Sequence, residues 1–97
     1  MIASFGDRAT EDLYHGRKSK AARRFPADIL SVALRKLDMI HAAGALQDLA
    51  SPPGNRLEAL RGDLRGYHSI RINDQWRVVF RWAAGKAYEV RITDYHG

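Results

Sequence analysis

Arginine residues recur between apolar residues along positions 69–82, whose sequence is SIRINDQWRVVFRW. Arg71, Arg77 and Arg81 each have apolar neighbours on both sides. In extended strands the arginines would therefore lie on one face of a sheet and the apolar residues on the other. The guanidinium group presents N–H donors in a planar fork that matches phosphate oxygens. The stretch therefore predicts a surface that binds a phosphate-bearing ligand.

The charge composition points to the same class of ligand. The 97 residues carry sixteen Lys and Arg against eleven Asp and Glu, a formal net charge of +5, and twelve of the sixteen cations are arginine. A surface that needs only solubility can use either cation, whereas forked recognition of phosphate favours arginine. We therefore expect an anionic partner such as nucleic acid.

Two further sets of residues could take part in chemistry. Tyr95 and His96, near the end of the chain, can transfer protons or stack on a base, or can simply cover the edge of a sheet. Upstream residues of the same kinds could reach the arginine side, although the segment RLEALRG has no clean alternation that would orient them. These upstream residues are Glu58, Arg61, Arg65 and His68.

Several classes of site are not expected. The chain has no cysteine and its four histidines lack the spacing of metal ligands, so we predict neither a disulfide nor a metal site. No motif calls for a cofactor. The N-terminal segment MIASFGDRAT lacks the features of a signal peptide, and no apolar run is long enough to span a membrane. We therefore expect a cytoplasmic protein with no membrane contact.

The elements that would position these residues form a single domain over residues 1–97. Ile2 and Phe5 alternate with small residues and predict a short edge strand, and a helix follows from a cap at Asp7 to Gly16. The apolar spacing after Pro26 predicts a longer helix that ends at Gly44. From position 56 onward, β-branched and aromatic residues between turn signals predict a four-stranded antiparallel meander. The fold class is therefore α+β, with the helices packed on one face of the sheet.

Loop length decides which arginines would be neighbours. A three-residue loop at positions 73–75 pairs Ile72 with Trp76 and keeps the apolar side chains together, which places Arg71 opposite Arg77. The same rule, with a three-residue loop around Gly85, pairs Trp76 with Ile92 and Phe80 with Tyr88. It also predicts that Arg77 faces Arg91.

A row of Arg71, Arg77 and Arg91 has two interpretations. Like charges directly opposite each other destabilise a sheet by several tenths of a kcal/mol per pair, roughly. The side chains could splay into water, helped by Glu89 and other carboxylates. Alternatively, the row could form a concave phosphate-binding surface, where a nucleic-acid backbone relieves the repulsion and binding depends strongly on salt.

The segments SPPGNRLEALRGDLRGYHSIRINDQWRVVFRW and ITDYHG together resemble the HigB branch of the RelE/ParE superfamily of bacterial type II toxins. The resemblance covers nearly the whole chain. It implies a RelE-like (microbial RNase-like) fold with an antiparallel sheet of about four to five strands. It also implies an endonuclease that cuts messenger RNA on the ribosome without a metal, because the neighbouring 2′-hydroxyl attacks the phosphorus.

By motif position, the resemblance implies that Arg77 neutralises the transition state and that Arg61 holds the same phosphate. Tyr95 and His96 would transfer a proton, or Tyr95 would stack on a base. Glu58 stands where some family members carry histidine, and it could act as the general base or merely pair with a nearby arginine. The residues expected to hold RNA are Arg71, Arg91, Arg56, Arg65 and His68.

The resemblance also implies partners. These are an antitoxin of the HigA type with a helix-turn-helix domain, the ribosome with its messenger RNA, and operator DNA reached only through the antitoxin. Apolar residues that could contact the antitoxin are Ile2, Phe5, Leu13 and Tyr14. Two other activities stay open: a non-catalytic protein that blocks the ribosome or RNA by occupancy, and a ParE-like poison of DNA gyrase.

Overall fold

The described part of the chain, residues 1–94, forms two α-helices followed by a four-stranded antiparallel sheet in this computed structural model. The helices are α1 (Arg8–Tyr14) and α2 (Leu30–Ala42), and the strands are β1 (Glu58–Ala59), β2 (Tyr67–Arg71), β3 (Trp76–Ala83) and β4 (Lys86–Asp94). The strand order is β1-β2-β3-β4, so strands that follow each other in sequence are paired. The predicted α+β class and the predicted meander are confirmed.

Helix α1 begins and ends as the sequence predicts. Oδ1 of Asp7 accepts a hydrogen bond of 2.8 Å from the backbone N–H of Thr10. Gly16 follows the helix with φ +72°, a conformation that residues with a Cβ rarely adopt and that commonly terminates helices. The hydroxyl of Thr10 in turn accepts a 2.9 Å hydrogen bond from the backbone N–H of Ile92, which ties α1 to β4.

Helix α2 covers one face of the sheet. The α-helix begins at Leu30 rather than directly after Pro26, because Ala27–Ile29 form a 3₁₀ turn. Its buried residues join the apolar face of the sheet in one core, and they are Ala33, Leu37 and Ile40 on the helix with Ile70, Val78, Phe80 and Ile92 on the strands. Within residues 1–94, neither helix has the length and apolar character that crossing a membrane requires.

The first residues of the chain lie beside the outer edge of β4. Ile2 pairs with Ala87 and Phe5 pairs with Val90, both in parallel orientation and as isolated bridges rather than as a continuous strand. This confirms the expected edge position of the segment. The free edge of β4 is therefore covered, which removes a template for pairing with other chains.

A buried asparagine anchors the connection between α2 and the sheet. The side-chain amide of Asn55 donates to the carbonyl of Leu49 at 3.1 Å, and its oxygen accepts from Nζ of Lys36 at 2.5 Å. Asn55 itself is fully buried. Because these bonds hold the residue directly before Arg56, they also fix where the chain enters β1.

The hairpin of β2 and β3 has the predicted three-residue loop. The backbone N–H of Ile72 donates to the carbonyl of Trp76 at 2.9 Å, and Arg71 lies directly opposite Arg77. The side-chain oxygen of Asn73 accepts from the backbone N–H of Trp76 at 2.7 Å, which closes the loop. The prediction that Arg71 and Arg77 are cross-strand neighbours is confirmed.

The predicted register between β3 and β4 is wrong. The turn has two residues, Ala84 and Gly85, and both have positive φ, at +52° and +76°. This backbone favours a two-residue hairpin turn over the predicted three-residue loop.

A β-bulge then shifts the pairing once more, because Glu89 and Val90 of β4 face the single residue Phe80 of β3. As a result Arg77 pairs with Thr93, and Arg91 pairs with Val79.

Candidate nucleic-acid interface

The sheet surface on the side away from the core carries Arg71, Arg77, Arg81 and Arg91, and we call it the arginine face. These side chains lie there because β2, β3 and β4 alternate between the two faces of the sheet. Val79 lies among them and is only 1% exposed although it is not part of the core cluster. The surrounding side chains therefore lie across the sheet rather than extending freely into water.

Arg77 is held at the centre of the arginine face by its neighbours. Its Nη1 donates to Oγ of Ser69 at 2.7 Å and approaches the carbonyl of Arg56 at 3.4 Å. Its Nη2 lies 3.2 Å from Oε1 of Glu58, and the side chain is only 11% exposed. The guanidinium is thus oriented by contacts on two sides, which reduces the conformational freedom it would lose on binding a ligand.

Carboxylates offset the repulsion between the arginines. Glu58 pairs with Arg77, Asp74 pairs with Arg71, and Glu89 lies 3.2 Å from Nε of Arg81. These contacts agree with the interpretation in which nearby acids share the charge. They do not exclude phosphate, because each carboxylate is about half exposed or more, and ion pairs with such exposed partners contribute little.

Arg91 differs from the other three arginines. It forms no ion pair within residues 1–94, and its Nε is buried without a hydrogen-bond partner there. The N-terminal segment passes close by, since a Cβ at Gly6 would lie 2.7 Å from the carbonyl oxygen of Glu89 and 3.4 Å from Cβ of Arg91. A cleft of about 520 Å³ opens beside Arg91, and its other walls include Asp7, Arg24, Trp76 and Thr93.

Glu58 lies on the arginine face in register with Ser69. A carboxylate serves best as a general base when it is desolvated and flanked by cations. Arg77 provides the cation, but the side chain of Glu58 is 50% exposed, so desolvation is incomplete in this structure. The catalytic role predicted for Glu58 stays a prediction.

Three other predicted arginines lie around the short strand β1. Arg56 precedes it in a left-handed conformation, with φ +46°. Arg61 and Arg65 flank the 3₁₀ turn Gly62–Leu64 between β1 and β2. All three are exposed. They border the arginine face without forming ion pairs within residues 1–94.

His68 is not brought together with the arginines. It lies on the opposite side of β2, where its ring stacks on Phe80 with an angle of 27° between the planes. Its Nδ1 is buried and has no hydrogen-bond partner in the described residues, and burial lowers the pKa of the ring. The expected contact between His68 and RNA on the arginine face therefore conflicts with its position.

Tyr95 and His96 lie outside the described residues. Strand β4 is described as far as Asp94, which pairs with Trp76 and accepts a 3.0 Å hydrogen bond from Gln75. The roles predicted for Tyr95 and His96 remain predictions. Among residues 1–94, no cluster of three or more His, Asp or Glu side chains could hold a metal ion.

The apolar residues predicted to contact a partner lie near the covered edge of the sheet. Phe5 and Tyr14 have ring centroids 5.8 Å apart, and Ile2 lines the same cleft. Leu13 lines a different groove, which α1 and the start of α2 share. All four are partly buried and pack against the core, so they are less exposed than a free docking surface would be.

Sequence reasoning missed Ser69 and the contacts of Glu89. Ser69 could have been found, because it stands two residues before Arg71 and must share its face. The side chain of Glu89 accepts a 2.9 Å hydrogen bond from the hydroxyl of Tyr67. That contact depends on the bulge in β4, for which we find no signal in the sequence.

Comparison with known proteins places the chain among bacterial toxins. The family that matches is described as the RelE-like toxin of the type II toxin–antitoxin system HigB, and the match covers residues 3–96. Toxin HigB-1 of Vibrio cholerae serotype O1 is 42% identical over 87 residues, which are 90% of each chain. Endoribonuclease HigB of Proteus vulgaris is 28% identical over 96 residues, covering 99% of this chain and 100% of the relative.

A solved structure supports the fold independently of sequence. The YoeB dimer from Staphylococcus aureus superposes with a TM-score of 0.61 at 23% identity, covering 99% of this chain and 98% of that one. At this identity the likeness speaks to the fold, and it confirms the predicted RelE-like architecture.

Proposed function

Because the chain belongs to the family of RelE-like HigB toxins of type II toxin–antitoxin systems, we propose that it is an endoribonuclease that cuts messenger RNA on the ribosome. The name of the Proteus vulgaris relative, an endoribonuclease, supports this activity. The observation that carries the proposal is the fixed guanidinium of Arg77 on a surface with three further arginines.

The proposed reaction is attack by the RNA itself on its own backbone. A base removes the proton from a 2′-hydroxyl, and the 2′-oxygen forms a bond to the adjacent phosphorus. The bond from phosphorus to the 5′-oxygen breaks, and an acid returns a proton to that oxygen. The products are a 2′,3′-cyclic phosphate and a 5′-hydroxyl, so the step needs no co-reactant.

Arg77 would offset the charge that develops on the phosphorane-like transition state. A preorganised donor of this kind contributes about 10²- to 10³-fold to the rate of acyl transfer, and we expect a similar range here. Arg61, which is exposed beside β1, would hold the same phosphate. Tyr95, His96 and Glu58 are the candidates for the two proton transfers.

The remaining arginines would position RNA rather than react. Arg71 and Arg91 lie on the arginine face with Arg77, and Arg56 and Arg65 lie at its border. Contacts of this kind bind the phosphate backbone regardless of sequence and weaken steeply with salt. We therefore expect RNA affinity to fall strongly between low and physiological salt.

The family assignment implies that the protein has an antitoxin as a partner. We propose that it is of the HigA type, with a helix-turn-helix domain through which the complex reaches operator DNA. The ribosome and messenger RNA are the proposed targets, and the proposed compartment is the cytoplasm.

Mapping 5′ ends of messenger RNA in a translating extract tests the activity. The wild-type protein should create new ends with a 5′-hydroxyl, and Arg77→Ala should abolish them together with growth inhibition. Arg35→Ala is the matched control, since Arg35 is exposed on α2, the helix that packs against the opposite, apolar face of the sheet. Growth inhibition that persists unchanged in Arg77→Ala would overturn the assignment.

The ion pair between Glu58 and Arg77 favours a second candidate function, which is inhibition without cleavage. A carboxylate 3.2 Å from the guanidinium competes with phosphate for the same donors. The protein could then inhibit translation by occupying the ribosome or RNA without cutting. Intact messages with stalled ribosomes would identify this activity, whereas cleaved DNA that accumulates with gyrase would identify a ParE-like poison.

A further inference from the structure

Two tyrosines and an arginine form a straight row across the arginine face. Tyr67 on β2 pairs with Arg81 on β3, and Arg81 pairs with Tyr88 on β4. The row lies four residues along β3 from Arg77, which is about 13 Å at about 3.3 Å per residue. It therefore shares the surface of the proposed phosphate site but lies beyond the reach of a single nucleotide centred there.

The β-bulge in β4 organises this row. Glu89 has φ +54°, a conformation that a residue with a side chain rarely adopts, and its backbone N–H donates to Oγ of Ser4 at 2.9 Å. The bulge brings the carboxylate of Glu89 between its two partners. Oε2 accepts from the hydroxyl of Tyr67 at 2.9 Å and lies 3.2 Å from Nε of Arg81. Bulges commonly redirect a side chain in this way next to functional sites.

In this row the contacts offset the charge, and the groups that remain for a ligand are planar. The guanidinium carbon of Arg81 lies 5.6 Å from the ring centre of Tyr88, and its charge is shared with Glu89. The hydroxyl of Tyr67 is occupied, and that hydrogen bond is the main reason that the pKa of Tyr67 is raised, so the phenol stays neutral. Both tyrosines are partly exposed. The row therefore differs in character from the cationic end of the face around Arg71 and Arg77.

We propose that Tyr67, Arg81 and Tyr88 form a platform on which unpaired RNA bases stack. The platform lies beside the proposed cleavage site, which Arg77 marks. Aromatic rings and guanidinium planes are the groups that proteins use to stack splayed-out bases of single-stranded RNA. The inference rests on the proposed function in that RNA is the ligand. It adds base contacts to the backbone contacts proposed for the arginines of this surface.

Binding of an uncleavable RNA tests the platform directly. The probe is a fluorescent oligonucleotide with 2′-O-methyl groups at every position, which cannot undergo 2′-attack, and the readout is its anisotropy with the full chain. Tyr88→Leu should weaken binding at least about 5-fold, the lower end of the effect of losing one stacked base. Tyr88→Phe should bind as the wild type does. Tyr67→Phe tests the bond to Glu89 while keeping the ring.

Salt and abasic sites separate stacking from other effects. A stacking contact should give the same fold-loss in Tyr88→Leu at low and at high salt, whereas an indirect effect on the arginines would shrink as salt rises. An abasic substitution at the stacked nucleotide should weaken binding to the wild type but not to Tyr88→Leu. The effects of the abasic site and of Tyr88→Leu on binding are then non-additive. This result is expected even if the variant is less stable than the wild type.

The outcomes distinguish this inference from the proposed function. Wild-type affinity in both Tyr67→Leu and Tyr88→Leu, or a loss that is equal for a fully abasic oligonucleotide, would overturn the platform. The proposed endonuclease would stand in that case if new 5′ ends still appear in the extract. Conversely, base-dependent binding without any new 5′ ends would support the platform and overturn the endonuclease.

Discussion

Nη1 of Arg77 on β3 donates a 2.7 Å hydrogen bond to Oγ of Ser69 on the neighbouring strand β2. Ser69 is fully buried and Arg77 is 11% exposed, so this bond is shielded from water. Ser69 also lies in register with Glu58, whose carboxylate contacts the same guanidinium. The central arginine of the face is therefore positioned by a β2 hydroxyl on one side and a β1 carboxylate on the other.

Ser69→Ala should impair cleavage more than folding. Losing one hydrogen bond should lower the free energy of unfolding by about 1 kcal/mol. Cleavage should fall about 10- to 100-fold, because small misplacements of a catalytic group are that costly. Urea unfolding and initial cleavage rates in a translating extract measure the two effects. Ser31→Ala, on the exposed side of α2, is the control. Unchanged cleavage together with reduced stability would limit Ser69 to a structural role.

Glu58→Gln should increase the affinity for uncleavable RNA. The substitution removes a negative charge that lies 3.2 Å from Nη2 of Arg77 and competes with phosphate. Because the Glu58 side chain is 50% exposed, the pair should contribute at most about 1 kcal/mol, and the gain should be no more than about 5-fold. Asp28→Asn changes the same charge at an exposed position away from the arginine face and should have little effect.

The cleavage rate of Glu58→Gln then reports on its chemical role. A fall of about 10²-fold or more would identify Glu58 as the general base. A rate that is unchanged or higher would leave it as a partner of Arg77 only. Weaker RNA binding in this variant would contradict the competition that the geometry indicates.

Ala84→Asn should stabilise the protein. Ala84 has φ +52° and Gly85 has φ +76°, the backbone for which Asn-Gly is the preferred pair. We expect the free energy of unfolding to rise by about 0.5–1 kcal/mol. Gly85→Ala should have the opposite effect, because it places a Cβ on a left-handed residue. Equal stability of all three proteins in urea unfolding would contradict the turn assignment.

The two hairpins show what the apolar pattern can and cannot predict. At the first turn, only a three-residue loop keeps Ile72 and Trp76 on the same face, so the register of Arg71 and Arg77 follows from burial alone. At the second turn the same rule led to a wrong register. The bulge at Glu89 absorbs one residue, so two different turn lengths satisfy the apolar pattern, and burial cannot choose between them.

In the candidate site, too, some positions follow from the apolar pattern and others depend on the bulge. The position of Arg71 and Arg77 on one face was predictable from the alternation of side chains along the strands. The same alternation places Ser69 on that face. The displacement of Arg91 to a position opposite Val79 was not predictable, because it depends on the bulge. His68 was predicted to reach the arginines, but it stands two residues before Ile70, so the same alternation places it on the apolar side, where the structure shows its ring against Phe80.

His68 should make the protein less stable as the pH falls, without affecting cleavage. Burial lowers the pKa of the ring below the ordinary value of 6.5, so the folded state disfavours the protonated form. Below pH 6.5 the unfolded chain takes up a proton that the folded chain excludes, and stability is lost until the lower, folded-state pKa is passed. Above pH 6.5 both states are neutral and the contribution is constant.

Urea unfolding of wild type and His68→Leu between pH 5 and pH 8 isolates this contribution. The stability of the wild type relative to the variant should be constant above pH 6.5 and should decline below it. His15→Leu is the control, because His15 is exposed. Cleavage at pH 7.5 should be the same in His68→Leu and wild type, since His68 lies across the sheet from Arg77. Parallel stability curves over the whole range would show that burial does not suppress protonation of this ring.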